Sequence, residues 1–148
     1  MKKKSIFLIL FLLCAIVIKA QDYVEITFNE GLTTLYKLKF TTIGKSNECS
    51  VKLSKAPSEL TALEIPTQVT INNSNYYVTV IDTMAFENQS KFSSVIFPEN
   101  LKTIKGRAFY KCTELTGELI IPDDVTYIGN HAFYNCKNLT SLNFEQNS

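Results

Sequence analysis

The sequence predicts a mainly β repeat solenoid, with short parallel strands stacked one per turn behind an antiparallel β cap at the N-terminus. Three observations lead there. An Ala-Phe phrase recurs after 23 and then 24 residues, short apolar runs end in proline at matching positions, and the stretch ahead of them alternates apolar and polar residues with period two. The 148 residues suit one domain, and 45% hydrophobic content is enough for a core. A formal charge of +1 argues against a nucleic-acid partner that depends on a basic surface.

The first twenty residues stand apart. Met1-Lys2-Lys3-Lys4 is a positive start, Ile6 to Ile18 is an unbroken apolar run, and Ala20 precedes the polar Gln21-Asp22. That is the layout of a secretory signal peptide, whose apolar stretch is about 7–15 residues long. A membrane-spanning helix needs about 20 apolar residues. An uncleaved N-terminal anchor is the alternative, because Ile18 and Lys19 fit a cleavage site poorly; Cys14 lacks the small residue before it that a lipoprotein site requires. Cleavage after residue 20 leaves 11 basic and 14 acidic side chains, a net charge of −3, and no other run long enough to span a bilayer. The mature chain is expected to be secreted or at the cell surface.

Residues 21–58 read as the N-terminal β cap. Val24, Ile26 and Phe28 alternate with Glu25 and Thr27, Tyr36, Leu38 and Phe40 with Lys37 and Lys39, and Val51 and Leu53 give a third run. Asn29-Glu30-Gly31 and Gly44-Lys45-Ser46-Asn47 supply turns between them, so antiparallel hairpins are expected. A solenoid needs terminal units that shield its open core. Another hairpin, Val69 to Ile71 with Tyr76 to Val80, is expected around Asn72-Asn73-Ser74-Asn75.

Residues 59–148 carry the repeats: a partial first unit with the hairpin inserted, then units near 78–100, 101–124 and 125–148. Val80-Ile81-Asp82-Thr83-Met84-Ala85-Phe86 aligns with Thr103-Ile104-Lys105-Gly106-Arg107-Ala108-Phe109 and with Tyr127-Ile128-Gly129-Asn130-His131-Ala132-Phe133. Gln89, Cys112 and Cys136 share the next column, and an extra residue of the middle unit falls at Thr116-Gly117. A phrase of L-x-x-L-x-L type at this period is a leucine-rich repeat. Ala85, Ala108 and Ala132 are small where the chain turns, Phe86, Phe109 and Phe133 are expected to stack as a spine, and Pro66, Pro98 and Pro122 end strands. Val95 and Phe97, Leu119 and Ile121, and Leu142 and Phe144 are expected to face inward.

These residues carry a family resemblance. Leu115 to Pro122 and Val125 to Leu139 are similar to the BspA-like leucine-rich repeats of bacterial and some protist surface proteins, and Ile65 to Thr70 with Tyr76 to Ile81 resembles the family's lead-in to its first repeat. The likeness covers about two-thirds of the mature chain. Asp82 and Lys105 depart from it where Gly129 conforms, and Gln89 departs from the cysteine. The resemblance implies a surface or secreted protein that binds other proteins, often in adhesion, with no catalytic residues.

The outward strand positions are the candidate partner-binding residues: Ala62 and Glu64, Ser94 and Ile96, Glu118 and Ile120, Ser141 and Asn143. Ile96 and Ile120 are expected side by side, an apolar anchor with a polar rim, although exposed β-branched residues also simply suit a strand. Tyr76 and Tyr77 are a second candidate patch. Four strands span only about 15–20 Å, small against the roughly 800 Å² per partner of a stable interface, so one copy should bind its protein partner weakly. The sequence stops four residues after Phe144, where truncation of a larger surface protein, end-to-end homo-oligomerisation through the last coil and a tolerated frayed end are competing readings.

Cysteine and enzyme chemistry are sparse. Cys112 and Cys136, in neighbouring coils about 4.8 Å apart, lie within disulfide reach, yet in-register side chains point the same way, so two buried thiols are expected. Cys49 is left over. His131, the sole histidine, shares a permissive column with Met84 and Arg107 and is expected at an exposed turn, so no metal site is expected. Phosphate-loop, zinc-protease and nucleophile-elbow motifs are absent. Neither cofactor nor catalysis is expected.

Overall fold

The computed structural model describes residues 23–30, 33–59 and 61–145. The expected signal segment lies outside them. Alternating apolar positions put β1 (Tyr23–Glu30), β2 (Thr33–Thr42) and β3 (Glu48–Lys55) into an antiparallel sheet, with Ile26 opposite Leu38 and Phe40 opposite Val51. Tyr36, Leu38, Phe40 and Val51 are buried, while Lys37 and Lys39 between them are half-buried. The third strand has a double role. Its other edge pairs in parallel with β6 (Ser74–Ile81), Cys49 opposite Val78 and Val51 opposite Ile81, so β3 is already a rung of the stack that follows. That parallel sheet continues through β8 (Thr103–Ile104) to β10 (Tyr127–Ile128), aligning Ile81, Ile104 and Ile128.

The inserted hairpin is tighter than its sequence suggested. β5 (Gln68–Ile71) and β6 (Ser74–Ile81) are joined by Asn72 and Asn73 alone, with φ of 50° and 61°, and Ser74 and Asn75 belong to the strand. Asparagine accepts left-handed backbone, and two such residues match the twist of the flanking strands.

Each coil then runs through a turn layer, residues 82–89, 105–112 and 129–136. Its backbone donors alternate in aim. The N–H groups of Ala85, Glu87 and Gln89 close local turns onto Asp82, Met84 and Phe86, whereas those of Met84, Phe86 and Asn88 donate to Gly106, Ala108 and Tyr110 of the next coil. Arg107, Phe109 and Lys111 repeat the pattern onto Asn130, Ala132 and Tyr134. Two residues per coil take left-handed φ to make this work: Met84 and Asn88, Arg107 and Lys111, His131 and Asn135, all between 54° and 62°. Inside the layer Phe86 and Phe109 stack at 5.0 Å and Phe109 and Phe133 at 5.3 Å, their planes within 11° and 4° of parallel. The aromatic column extends through Phe92 to Tyr36 and Phe28, welding the antiparallel sheet to the coils. Ala85, Ala108 and Ala132 are buried beside it. At Gly129 any Cβ would fall onto the Gly106 nitrogen and lie 2.8 Å from the Lys105 carbonyl carbon, so side-chain absence sets the approach of the second and third coils.

The strand side is less regular. β4 (Thr61–Glu64) pairs in parallel with β7 (Phe92–Ile96), and β9 (Gly117–Ile121) with β11 (Leu139–Phe144), but no ladder joins β7 to β9. The continuous four-strand face expected from the sequence is therefore two pairs. The additional residue of the middle unit does not by itself decide this, because the last coil is as short as the first and β11 still pairs with β9 through a register shift between Leu139 and Ser141. Before β9, Gly117 stands at φ 72°, and the N–H and hydroxyl of Thr116 both fall on the Ser93 carbonyl. Prolines follow β4, β7 and β9 as expected. Among the described residues no helix is long and apolar enough to cross a membrane.

Candidate functional site

Alternation along the strands decides which side chains a partner could touch. Leu63, Phe97, Leu119 and Ile121 are buried, which leaves the residues between them facing out. Ile96 is 58% exposed and Ile120 43%, each isolated from its neighbours in the core. Glu64 lies opposite Ile96 on β4–β7, and Asn143 opposite Ile120 on β9–β11; Ser94 pairs with Ala62 and Glu118 with Ser141. All are exposed except Ser141, which is half-buried. Glu118, Ile120, Asn143, Phe144 and Glu145 line a shallow open depression on this side, and the Asn143 amide donates to the Glu118 carboxylate. Two apolar anchors with carboxylates at their edges form the chemistry of the face.

Two sequence expectations change here. Leu142 and Phe144 align with the buried Leu119 and Ile121, yet are 44% and 55% exposed, because among the described residues no further coil covers their column. Tyr76 and Tyr77 do not share a patch. Successive strand residues face opposite ways, so Tyr76 packs against the core opposite Val69 while Tyr77 remains exposed.

The turn layer presents a second surface. Arg107 pairs with Glu87 and lies over the Tyr110 ring, Tyr110 stacks on Tyr134 at 5.3 Å, and His131 meets Tyr134 edge-on. His131 is exposed at its left-handed turn. No group of three or more His, Cys, Asp or Glu residues among the described ones is arranged to hold a metal ion.

The three described cysteines, Cys49, Cys112 and Cys136, are buried free thiols. Cys112 Sγ donates to the Phe86 carbonyl and Cys136 Sγ to the Phe109 carbonyl, each 3.0 Å away in the preceding coil. The neighbouring Cys136 thiol and burial together push Cys112 far above the usual thiol range, and burial pushes Cys49 up to about 12. Cys112 and Cys49 are therefore not activated nucleophiles, whereas the hydrogen bond with the Cys112 thiol pulls Cys136 below the usual thiol range at a buried position.

The departures from the repeat pattern have structural work. Asp82 accepts from Ser50 at 2.8 Å and pairs with Lys105 at 2.9 Å, an inter-coil bridge where the third coil has Gly129. Gln89 replaces the cysteine of its column, and its amide donates to the Glu87 carbonyl at 3.0 Å. The equivalent carbonyls of Tyr110 and Tyr134 receive an N–H from the coil before, so Gln89 caps the first turn layer. Leu53 N–H does the same for Ala85, and the Tyr36 hydroxyl bonds both backbone groups of Glu64 on the free edge of β4. Sequence periodicity could flag Gln89 only as an exception, and nothing flagged Tyr36.

The comparisons follow this geometry. The profile for the BspA type leucine rich repeat region matches residues 58–148, in six copies. No curated protein matches the sequence. A leucine rich cell surface protein of Faecalibacterium prausnitzii superposes over 78% of this chain with a TM-score of 0.58 and 28% identity; the match covers 29% of that protein's length. A leucine-rich repeat protein of Bacteroides capillosus superposes over 81% of the chain and 99% of its own, with a TM-score of 0.52 and 26% identity. With more than half of its residues matched, the chain belongs to the BspA-type leucine-rich repeat family.

Proposed function

We propose that the chain is a secreted or cell-surface, adhesion-type module that binds a protein partner through its outward strand face. The observation that carries this reading is the exposure of Ile96 and Ile120 amid Glu64, Glu118, Ser94, Ser141 and Asn143. Exposed apolar side chains with polar surroundings are the usual anchors of an interface, and the carboxylates favour a partner segment that combines apolar with basic residues. The surface setting draws on the family and on the cell-surface description of the Faecalibacterium relative. The family is generally a non-enzymatic interaction fold, which agrees with the burial of all three described thiols. Capture of an extracellular protein by the immobilised mature chain tests the face: Ile96→Asp with Ile120→Asp should abolish capture at unchanged folding, and undiminished capture would overturn the reading.

A second reading, end-to-end association of copies, is favoured by a separate observation. In the last described coil Leu142 and Phe144 are exposed, and the N–H groups of His131, Phe133 and Asn135 have no partner among the described residues. Face-to-face copies would set donors against donors in the turn layer, so such pairing must run along the β11 edge. Light scattering across micromolar concentrations tests it, with a purely monomeric chain as the contrary result.

A further inference from the structure

Charge is unevenly divided along the described chain. Residues 23–55 carry five lysines and three glutamates, whereas 56–145 carry six basic and ten acidic side chains. The cap lysines are also concentrated on one side of one sheet. Lys39 lies directly opposite Lys52, and Lys37 opposite Lys55, all on the face turned away from the buried Leu38 and Phe40. Antiparallel pairing sets opposite residues about 5 Å apart, and Lys37 and Lys39, alternate residues of β2, lie about 7 Å apart. A register shift between Lys37 and Leu38 lets Lys52 and Lys55, three positions apart on β3, stand opposite them, so the four lysines share one small patch. Like charges directly opposite each other on a sheet are destabilising, and of the four only Lys39 has a counterweight among the described residues. Lys37, Lys52 and Lys55 make no ion pair among the described residues, while Lys102, Lys105 and Arg107 of the repeats each have a carboxylate partner. Lys39 has a partial counterweight, with Glu25 opposite it on β1 and its ammonium 3.6 Å from the centre of the Tyr23 ring; Glu25 accepts from Ser54.

We propose that the outward face of the β1–β2–β3 sheet is a second binding surface, for a soluble polysaccharide bearing fixed sulfate or phosphate groups. Repeated oxyanions along a chain match the lysine array in sign and spacing. The rest of the face excludes other polyanions. Among the described residues it offers no large apolar side chain to insert into a bilayer, since those beside the lysines are Tyr23, Glu25, Thr27, Thr41 and Ser54, and Tyr23 lies under Lys39. With its one aromatic ring so covered, it has no platform on which nucleic-acid bases could stack. This surface lies on strands other than those of the proposed protein-binding face, so one chain could hold a polymer and a protein together.

Retention of the mature chain on immobilised dextran sulfate, with unsubstituted dextran as control, tests the surface across a sodium chloride series. Lys37→Gln, Lys52→Gln and Lys55→Gln combined should weaken retention at least about tenfold and reduce the salt slope by roughly one per lysine removed. Lys91→Gln, Lys111→Gln and Lys137→Gln combined remove the same charge from exposed positions of the repeats and should leave retention unchanged. The cap variant should melt at or above the wild type, because it relieves repulsion. Should the combination fail to fold, Lys52→Gln and Lys55→Gln singly, both at exposed positions, should each weaken retention. Equal loss in both sets, or full retention by the cap variants, overturns the proposal. Equally tight capture by phosphatidylserine vesicles or single-stranded DNA overturns the polysaccharide assignment.

Discussion

The turn layer and the strand side are built by the same repeats, yet one is continuous and the other broken. In the turn layer every second N–H crosses to the next coil, from Met84 through Asn88 and again from Arg107 through Lys111, and the phenylalanines follow in parallel stacks. On the strand side β4–β7 and β9–β11 are separate pairs. Residue count explains the continuous side. Asp82 to Gln89, Lys105 to Cys112 and Gly129 to Cys136 are equal in length, so their backbones align. The middle coil has one residue more before β9, a difference that β9 and β11 absorb by a register shift and that β7 and β9 do not.

The largest test of this contrast is in the spine. Phe109 is fully buried between Phe86 and Phe133, with Phe97 at its edge. Phe109→Ala should cost about 3–5 kcal/mol of unfolding free energy, read by urea denaturation. Phe133→Ala should cost clearly less, because Phe133 is only half-buried. Equal losses would mean that the stack is not the centre of the layer.

Alkali should attack the junction between the antiparallel sheet and the coils. Burial holds Tyr36 up at about 12, with the hydrogen bond to the Glu64 backbone pulling the other way, and burial holds Cys49 at about 12. Both folded values exceed the unfolded ones, so the neutral forms stabilise the fold fully below about pH 9, and that contribution is lost as pH rises toward 12. Urea midpoints should be flat to pH 9 and then fall, by about 1.4 kcal/mol per pH unit for each group within its window. A midpoint that holds steady to pH 11 would show that neither group is sealed from water.

Much of this architecture was legible because it repeats. The Ala-Phe pairs gave the turn layer, the prolines gave the strand ends, and alternation placed Ile96 and Ile120 outside. What stayed hidden depends on partners distant in sequence or on backbone geometry. Tyr36 reads as an ordinary inward strand residue, and only the fold brings its hydroxyl to Glu64, 28 positions away. Gln89 reads as a lapse from cysteine until its amide is seen closing the Glu87 carbonyl. The additional residue near Gly117 was visible, but not that β9 pairs with β11 and not with β7. Deleting Gly117 tests whether the extra residue separates β7 from β9. With equal coil lengths β7 and β9 should zip together, and alternate amides between 118 and 121 should gain hydrogen-exchange protection, with a stability gain of about 1 kcal/mol. Unchanged protection would place the cause of the break in side-chain packing.

The smallest expected effect concerns the backbone strain that makes the turn layer regular. Met84, Arg107, Lys111 and His131 occupy left-handed φ without being glycine, asparagine or aspartate, a conformation that costs most L-residues about 1 kcal/mol or more. Met84 is the clean test, since it is half exposed and its N–H bond to Gly106 survives any substitution; Arg107 and His131 also contact tyrosines. Met84→Gly removes the Cβ clash but adds unfolded-chain entropy of about 0.5–1 kcal/mol, leaving a net gain of roughly 0.5 kcal/mol. Asn88, at φ 58°, already tolerates this backbone, so Asn88→Gly should be neutral or slightly destabilising. If Met84→Gly instead lowers the urea midpoint as much as Asn88→Gly, the left-handed positions carry no strain, and the layer's regularity rests on its hydrogen bonds and rings alone.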